Sequence, residues 1–167
     1  MNIDLYPIIT WDDGAAAAAR KIEDFPKPAP ALVVAEIRLS FTSLEKDYAA
    51  NPNSGSMSLA WAGVGNAAMR YARHNGHGFD VPELVQTLVR KQRDYGHQNI
   101  LRFGTYGVIV RCHDKIARLE HLLGNNKVPN NESIRDNLMD VAGYAAIGIM
   151  LNHGWFEKQL EDPYWFE

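Results

Sequence analysis

The segment "NNESIRDNLMDVAGYAAIGIML", Asn130 to Leu151, sets the strongest constraint on how this chain folds. It starts as an ordinary amphipathic helix. Glu132, Asp136 and Asp140 fall within about 80° of one another on a helical wheel, opposite a core stripe of Ile134, Leu138, Val141, Ala145 and Ile149. Beyond Asp140 the acidic face continues as Gly143 and Ile147, with Met150 close by, so the helix turns apolar all round. Such a helix has to be buried among others. Asp140 then stands at the mouth of a buried segment, where a carboxylate costs free energy unless something compensates it.

The remaining chain breaks at Gly, Pro and Asn clusters into pieces of helical length. "DDGAAAAARKIEDF" predicts a short helix with Asp12 or Asp13 as N-cap. "PALVVAEIRLSFTSLEKDYAANP" predicts a second, with Pro30 in its first turn, although "VVAEIRLSFT" also reads as a strand. "SMSLAWAGVGNAAMRYARHNGHG" is rich in small residues suited to close packing and closes on Gly76. "DVPELVQTLVRKQRDYGHQN" has Asp80 as N-cap and Gly96 as stop. "GVIVRCHDKIARLEHLLGNN" carries Ile109, Cys112, Ile116, Leu119 and Leu123 at helical spacing and ends at Gly124. The opening segment is the sixth piece, capped by Asn131. Together they predict one all-α domain over residues 1–167, a helical bundle of about five to six helices. An aromatic tail at 152–167 would pack on the bundle or on a second copy in a homo-oligomer.

Several function classes fall away. A net charge of -3 provides no basic field for nucleic acid. A single cysteine, Cys112, leaves no internal disulfide and no Cys-based zinc site, which suits a reducing cytoplasm. No apolar run approaches the roughly 18 residues of a membrane span, and the start "MNIDLYPIITWDDG" lacks the basic region of a signal peptide. His74 and His77 lie at a frayed helix end with no third ligand nearby and read as a turn.

Carboxylates at i and i+4 repel unless a cation or a proton intervenes, which makes Asp136 and Asp140 candidates for a hard divalent metal. Glu132 taken alone is explained by the helix dipole. The fifth piece presents Arg111, Asp114, Lys115, Arg118 and His121 on one face. That face reads either as solvated i,i+4 pairs or as cations for phosphate oxygens, with Asp114 joining the two acids around one metal. "RKQRDYGHQN" brings Lys91, Asp94, Tyr95 and Asn99 to a helix end, which is either a plain C-cap or a corner where a nucleobase stacks and hydrogen-bonds.

At "KQRDYG", "DKIARLEHLL" and "NESIRDNLMDVAGYAAI" the chain resembles the first nucleotide-modification-associated domain family, small helical proteins that are mostly phage-encoded. The resemblance covers roughly Val81 to Leu151, with 1–80 as a further helical part. It implies a phage or prophage origin and a nucleotide-related role in the host cytoplasm. More loosely, the chain is similar to all-α nucleoside triphosphate pyrophosphohydrolases of the MazG and dimeric dUTPase kind. Those hold Mg²⁺ on acids of two adjacent helices and split a phosphate bond with a metal-activated water. This chain departs from their Glu-x-x-Glu and Glu-x-x-Asp pattern, with Asn137 where an acid would fall relative to Asp140.

The combined expectation is a Mg²⁺-dependent nucleotide pyrophosphohydrolase-like enzyme. Asp114, Asp136 and Asp140 would hold metal, and Glu132 would be a further ligand or water-positioning base. Lys91, Lys115 and Arg118 would face phosphates, while Asp94, Tyr95 and Asn99 would face the base and sugar. The alternatives are a non-catalytic binder that sequesters a nucleotide signal, and a helical interaction protein.

Overall fold

The computed structural model describes residues 7–26, 33–129 and 132–161. Among these, the chain forms seven helices and no strand: α1 Trp11–Glu23, α2 Ala35–Ala50, α3 Ser56–His74, α4 Val81–Tyr95, α5 Gln98–Leu101, α6 Gly104–Gly124 and α7 Ile134–His153. The six helical pieces are all present. The seventh helix is the single turn α5, which rounds the corner between α4 and α6. The strand reading of "VVAEIRLSFT" is not realised where the chain is described, since α2 runs through it from Ala35.

Capping chemistry fixes the helix starts, and it corrects two expectations. Thr10, not Asp12 or Asp13, caps α1: its hydroxyl accepts from Asp13 N–H at 3.1 Å, and the Asp13 carboxylate accepts from Thr10 N–H at 2.9 Å. Ser133 caps α7 with the same reciprocal box, using Asp136 as its third residue; Asn131 lies outside the described residues, as does Pro30. Each such box satisfies two otherwise orphaned N–H groups and contributes about 1 kcal/mol. Asp80 caps α4 as expected, accepting from Glu83 N–H at 2.9 Å. Gly96 ends α4 at φ 69°, a left-handed conformation that glycine adopts without strain. Gly124 is the last residue of α6, and Asn125 is its cap.

The pattern that made α7 apolar all round places it at the centre. It packs against α3, α6, α1 and α4. Leu138, Val141, Ala142, Ala145, Ala146, Ile149 and Met150 are fully buried, each large side chain contributing about 1.5–3 kcal/mol. The α3–α7 approach is set by Gly148, where an added Cβ would overlap the indole of Trp61. Cys112 faces this core, and burial pushes its thiol well above the ordinary range, so it behaves as a small hydrophobe.

The described part of the tail returns to the bundle. Phe156 is fully buried, edge-on to Trp11 at 5.8 Å and to His97 at 5.7 Å. Trp11 N–H donates to the Gln159 carbonyl at 2.7 Å, and a ring nitrogen of His97 donates to the Lys158 carbonyl at 2.8 Å. Tyr164, Trp165 and Phe166 lie outside the described residues. Among the described residues, no helix is long and apolar enough to cross a membrane.

Candidate functional site

Helix α4 along most of its length, the α5 corner, α6 and the middle turns of α7 converge around a cavity of about 190 Å³. Its floor is apolar: Leu84 and Leu88 from α4, Ile100 from α5, and Met139, Gly143 and Ile147 from α7. The charged wall comes from Lys91, Arg111, Lys115, Glu132 and Asp140. Tyr95 stands at the mouth, 65% exposed, and the Tyr144 phenol is half-buried within. A wider groove of about 560 Å³ shares Thr87, Lys91, Glu132, Met139 and Asp140 with this chamber and extends past Arg90, Arg135 and Asp136.

The question of what compensates Asp140 has a direct answer. Lys91 Nζ donates to Asp140 Oδ1 at 2.8 Å and Lys115 Nζ reaches Oδ2 at 3.1 Å. Lys115 also donates to Glu132 Oε2 at 2.7 Å. The cations that separate these carboxylates are thus ammonium groups of the protein itself. Burial pulls the Lys115 pKa down, but its bonds and attraction to Glu132 and Asp140 outweigh that, and the net shift is upward. Lys115 therefore stays charged throughout the neutral range. Burial, reinforced by the Asp140 charge, raises the Tyr144 phenol and keeps it protonated as a donor.

The expected metal set does not assemble. Asp114 is exposed and lines neither cavity, and the Asp136 carboxylate is engaged with Ser133 N–H at 3.2 Å. Both Asp140 oxygens are held by lysines. Among the described residues, no group of three or more His, Cys, Asp or Glu could hold a metal ion. As arranged, these donors do not fit Mg²⁺, which needs oxygen ligands converging at close to octahedral geometry.

The expected ligand-contacting residues divide in the same way. Lys91, Tyr95, Asn99 and Lys115 line the chamber together with Glu132. Asp94 is exposed and Arg118 half-buried, and neither lines either cavity.

Two wall residues escaped the sequence reading. Gln92 is 5% exposed and Trp11 is fully buried, and both line the chamber. Trp11 Nε1, Gln92 Nε2 and Asn99 Oδ1 are buried and have no hydrogen-bond partner among the described residues. Each such group costs about 1–3 kcal/mol unless it is satisfied. Three residues that line one chamber therefore each carry an unsatisfied polar atom, packed behind its accessible surface. Gln92 had a legible signal: it continues the Leu84–Leu88 series by one more turn, a polar residue at a core position.

No family model, curated protein or solved structure matches the chain.

Proposed function

We propose that this chain binds a nucleotide or nucleotide-derived small molecule in the chamber between α4, α6 and α7, and holds it without hydrolysing it. The observation that carries this reading is the set of three buried, unpartnered polar atoms on Trp11, Gln92 and Asn99, in a chamber that also presents Lys91 and Lys115. An apolar pocket with a few convergent polar groups is the usual form of a small-molecule site. A planar heterocycle would meet these two N–H donors and the carbonyl acceptor once the side chains turn toward the chamber, and Tyr95 offers a face for stacking. The lysines suit a phosphate. Apart from Trp11, the charged and polar wall comes from the Val81 to Leu151 segment whose resemblance implies a nucleotide role.

The pyrophosphohydrolase alternative needs Asp136 and Asp140 to face one metal, and the lysine pairing of Asp140 favours binding over hydrolysis. Two measurements test the reading. Mass spectrometry of small molecules released from the purified protein should show a nucleotide-type compound. Thermal melts against nucleosides and nucleotides in EDTA should show a rise in Tm by mass action. A folded protein whose Tm responds to none of them, and which releases none, refutes it.

A further inference from the structure

Three cations (Lys91, Arg111, Lys115) and two carboxylates (Glu132, Asp140) line the chamber, leaving one net positive charge. The two carboxylates are held very differently. Asp140 lies within α7, its side chain 14% exposed, and is gripped by two lysines. Glu132 precedes the α7 cap, its side chain is 45% exposed, and among the described residues it pairs with Lys115 alone. Releasing Glu132 to water is cheap, because an exposed pair is worth little. Releasing Asp140 would strand a mostly buried charge.

We propose that Glu132 is an internal anion standing in for the ligand on Lys115, and that the ligand is a phosphomonoester whose phosphate displaces it. This rests on the nucleotide-binding reading and adds the ligand's phosphorylation state. With Glu132 swung out, the chamber lining carries two net positive charges. That matches the charge of about −1.5 to −2 on a phosphomonoester at neutral pH. A triphosphate carries roughly twice that charge, and the outer groove adds no net positive charge to meet it, since with Glu132 released Glu83, Asp136 and Asp140 there balance Arg90, Lys91 and Arg135. The site therefore selects a nucleoside monophosphate over the corresponding nucleoside and triphosphate.

The test is isothermal titration of the full chain in EDTA with nucleosides, their monophosphates and triphosphates, ribose 5-phosphate and inorganic phosphate. Wild type is compared with Glu132→Gln and with Asp94→Asn, which removes an exposed acid that lines neither cavity. Glu132 is exposed, so the variant should fold, and a melt confirms it. Glu132→Gln should raise affinity for monophosphates about three- to tenfold and leave nucleosides unchanged, while Asp94→Asn changes neither by more than about twofold. Monophosphate binding that Glu132→Gln leaves unchanged or weakens overturns the exchange and spares the binding reading. Triphosphates binding more tightly than monophosphates overturn the single-phosphate assignment. Response to ribose 5-phosphate or inorganic phosphate alone, enhanced in Glu132→Gln, supports the exchange and overturns the nucleotide reading. No binding by any probe overturns both.

Discussion

Replacing Asp140 by asparagine separates a lysine-held carboxylate from a metal ligand. The change keeps side-chain volume and one carbonyl acceptor but removes the charge facing Lys91 at 2.8 Å and Lys115 at 3.1 Å. A hydrogen bond to a charged group is worth about 1.5–3 kcal/mol, and two are weakened or lost. The Lys91 side chain is 43% exposed and returns to water, which reduces its share, and Lys115 keeps Glu132. The net cost is therefore about 1–2 kcal/mol. For a chain of this size each kcal/mol shifts Tm by about 2–4 °C, so the variant should melt about 2–8 °C lower. Thermal melts followed by circular dichroism, for both proteins in EDTA and in Mg²⁺, measure this. The decrease should be equal in the two conditions. Acids that face a metal predict otherwise: Asp140→Asn is neutral or stabilising in EDTA, and Mg²⁺ raises the Tm of wild type alone. That result would refute the lysine pairing as the reason Asp140 is tolerated.

Gln92→Met keeps chain length and removes a buried donor without a partner, so the unliganded protein should gain about 1 kcal/mol while losing any ligand-induced rise in Tm; a less stable variant would show the amide to be satisfied already. Phe156→Ala removes a fully buried ring against Trp11 and should cost about 3–5 kcal/mol, with a change in near-ultraviolet circular dichroism as the Trp11 indole loses its packing. The Arg38 hydrogen bond, outweighing burial, lowers the Glu120 pKa below its ordinary 4.5. That pair therefore stabilises the fold fully above pH 4.5 and is lost as pH falls through the depressed value. The Tm difference between wild type and Glu120→Gln should accordingly shrink on acidification below 4.5, and a difference that grows there would contradict the pairing.

What could be read from residue order was whatever depends on local periodicity. The loss of amphipathicity after Asp140 placed α7 at the centre, and Asp80 and Gly96 marked the ends of α4, because caps and stripes are short-range chemistry. The caps of α1 and α7 were misplaced because a Thr or Ser followed three residues later by Asp forms a reciprocal box, which outcompetes a lone Asp or Asn nearby. The site was half legible. Lys91, Tyr95, Asn99 and Lys115, singled out for their chemistry, line the chamber, yet the lysines' engagement with Asp140 joins residues far apart in the chain, where no spacing rule operates. Trp11 reaches the chamber from α1, and its place there follows from tertiary packing on Phe156.

The absence of a side chain at Gly148 has a mechanical consequence. With the Trp61 indole seated against the α7 backbone, a shift of α7 along α3 would drive that ring into the neighbouring side chains, so the contact acts as a detent. Asp140, Gly143 and Tyr144 are thereby held as fixed calibration marks on one side of the chamber. On the proposed binding reading, adaptation to ligands of different size would fall to the opposing residues of α4, such as Thr87, Lys91 and Gln92, and to Glu132. A change of specificity can then be made there without repacking the centre of the molecule.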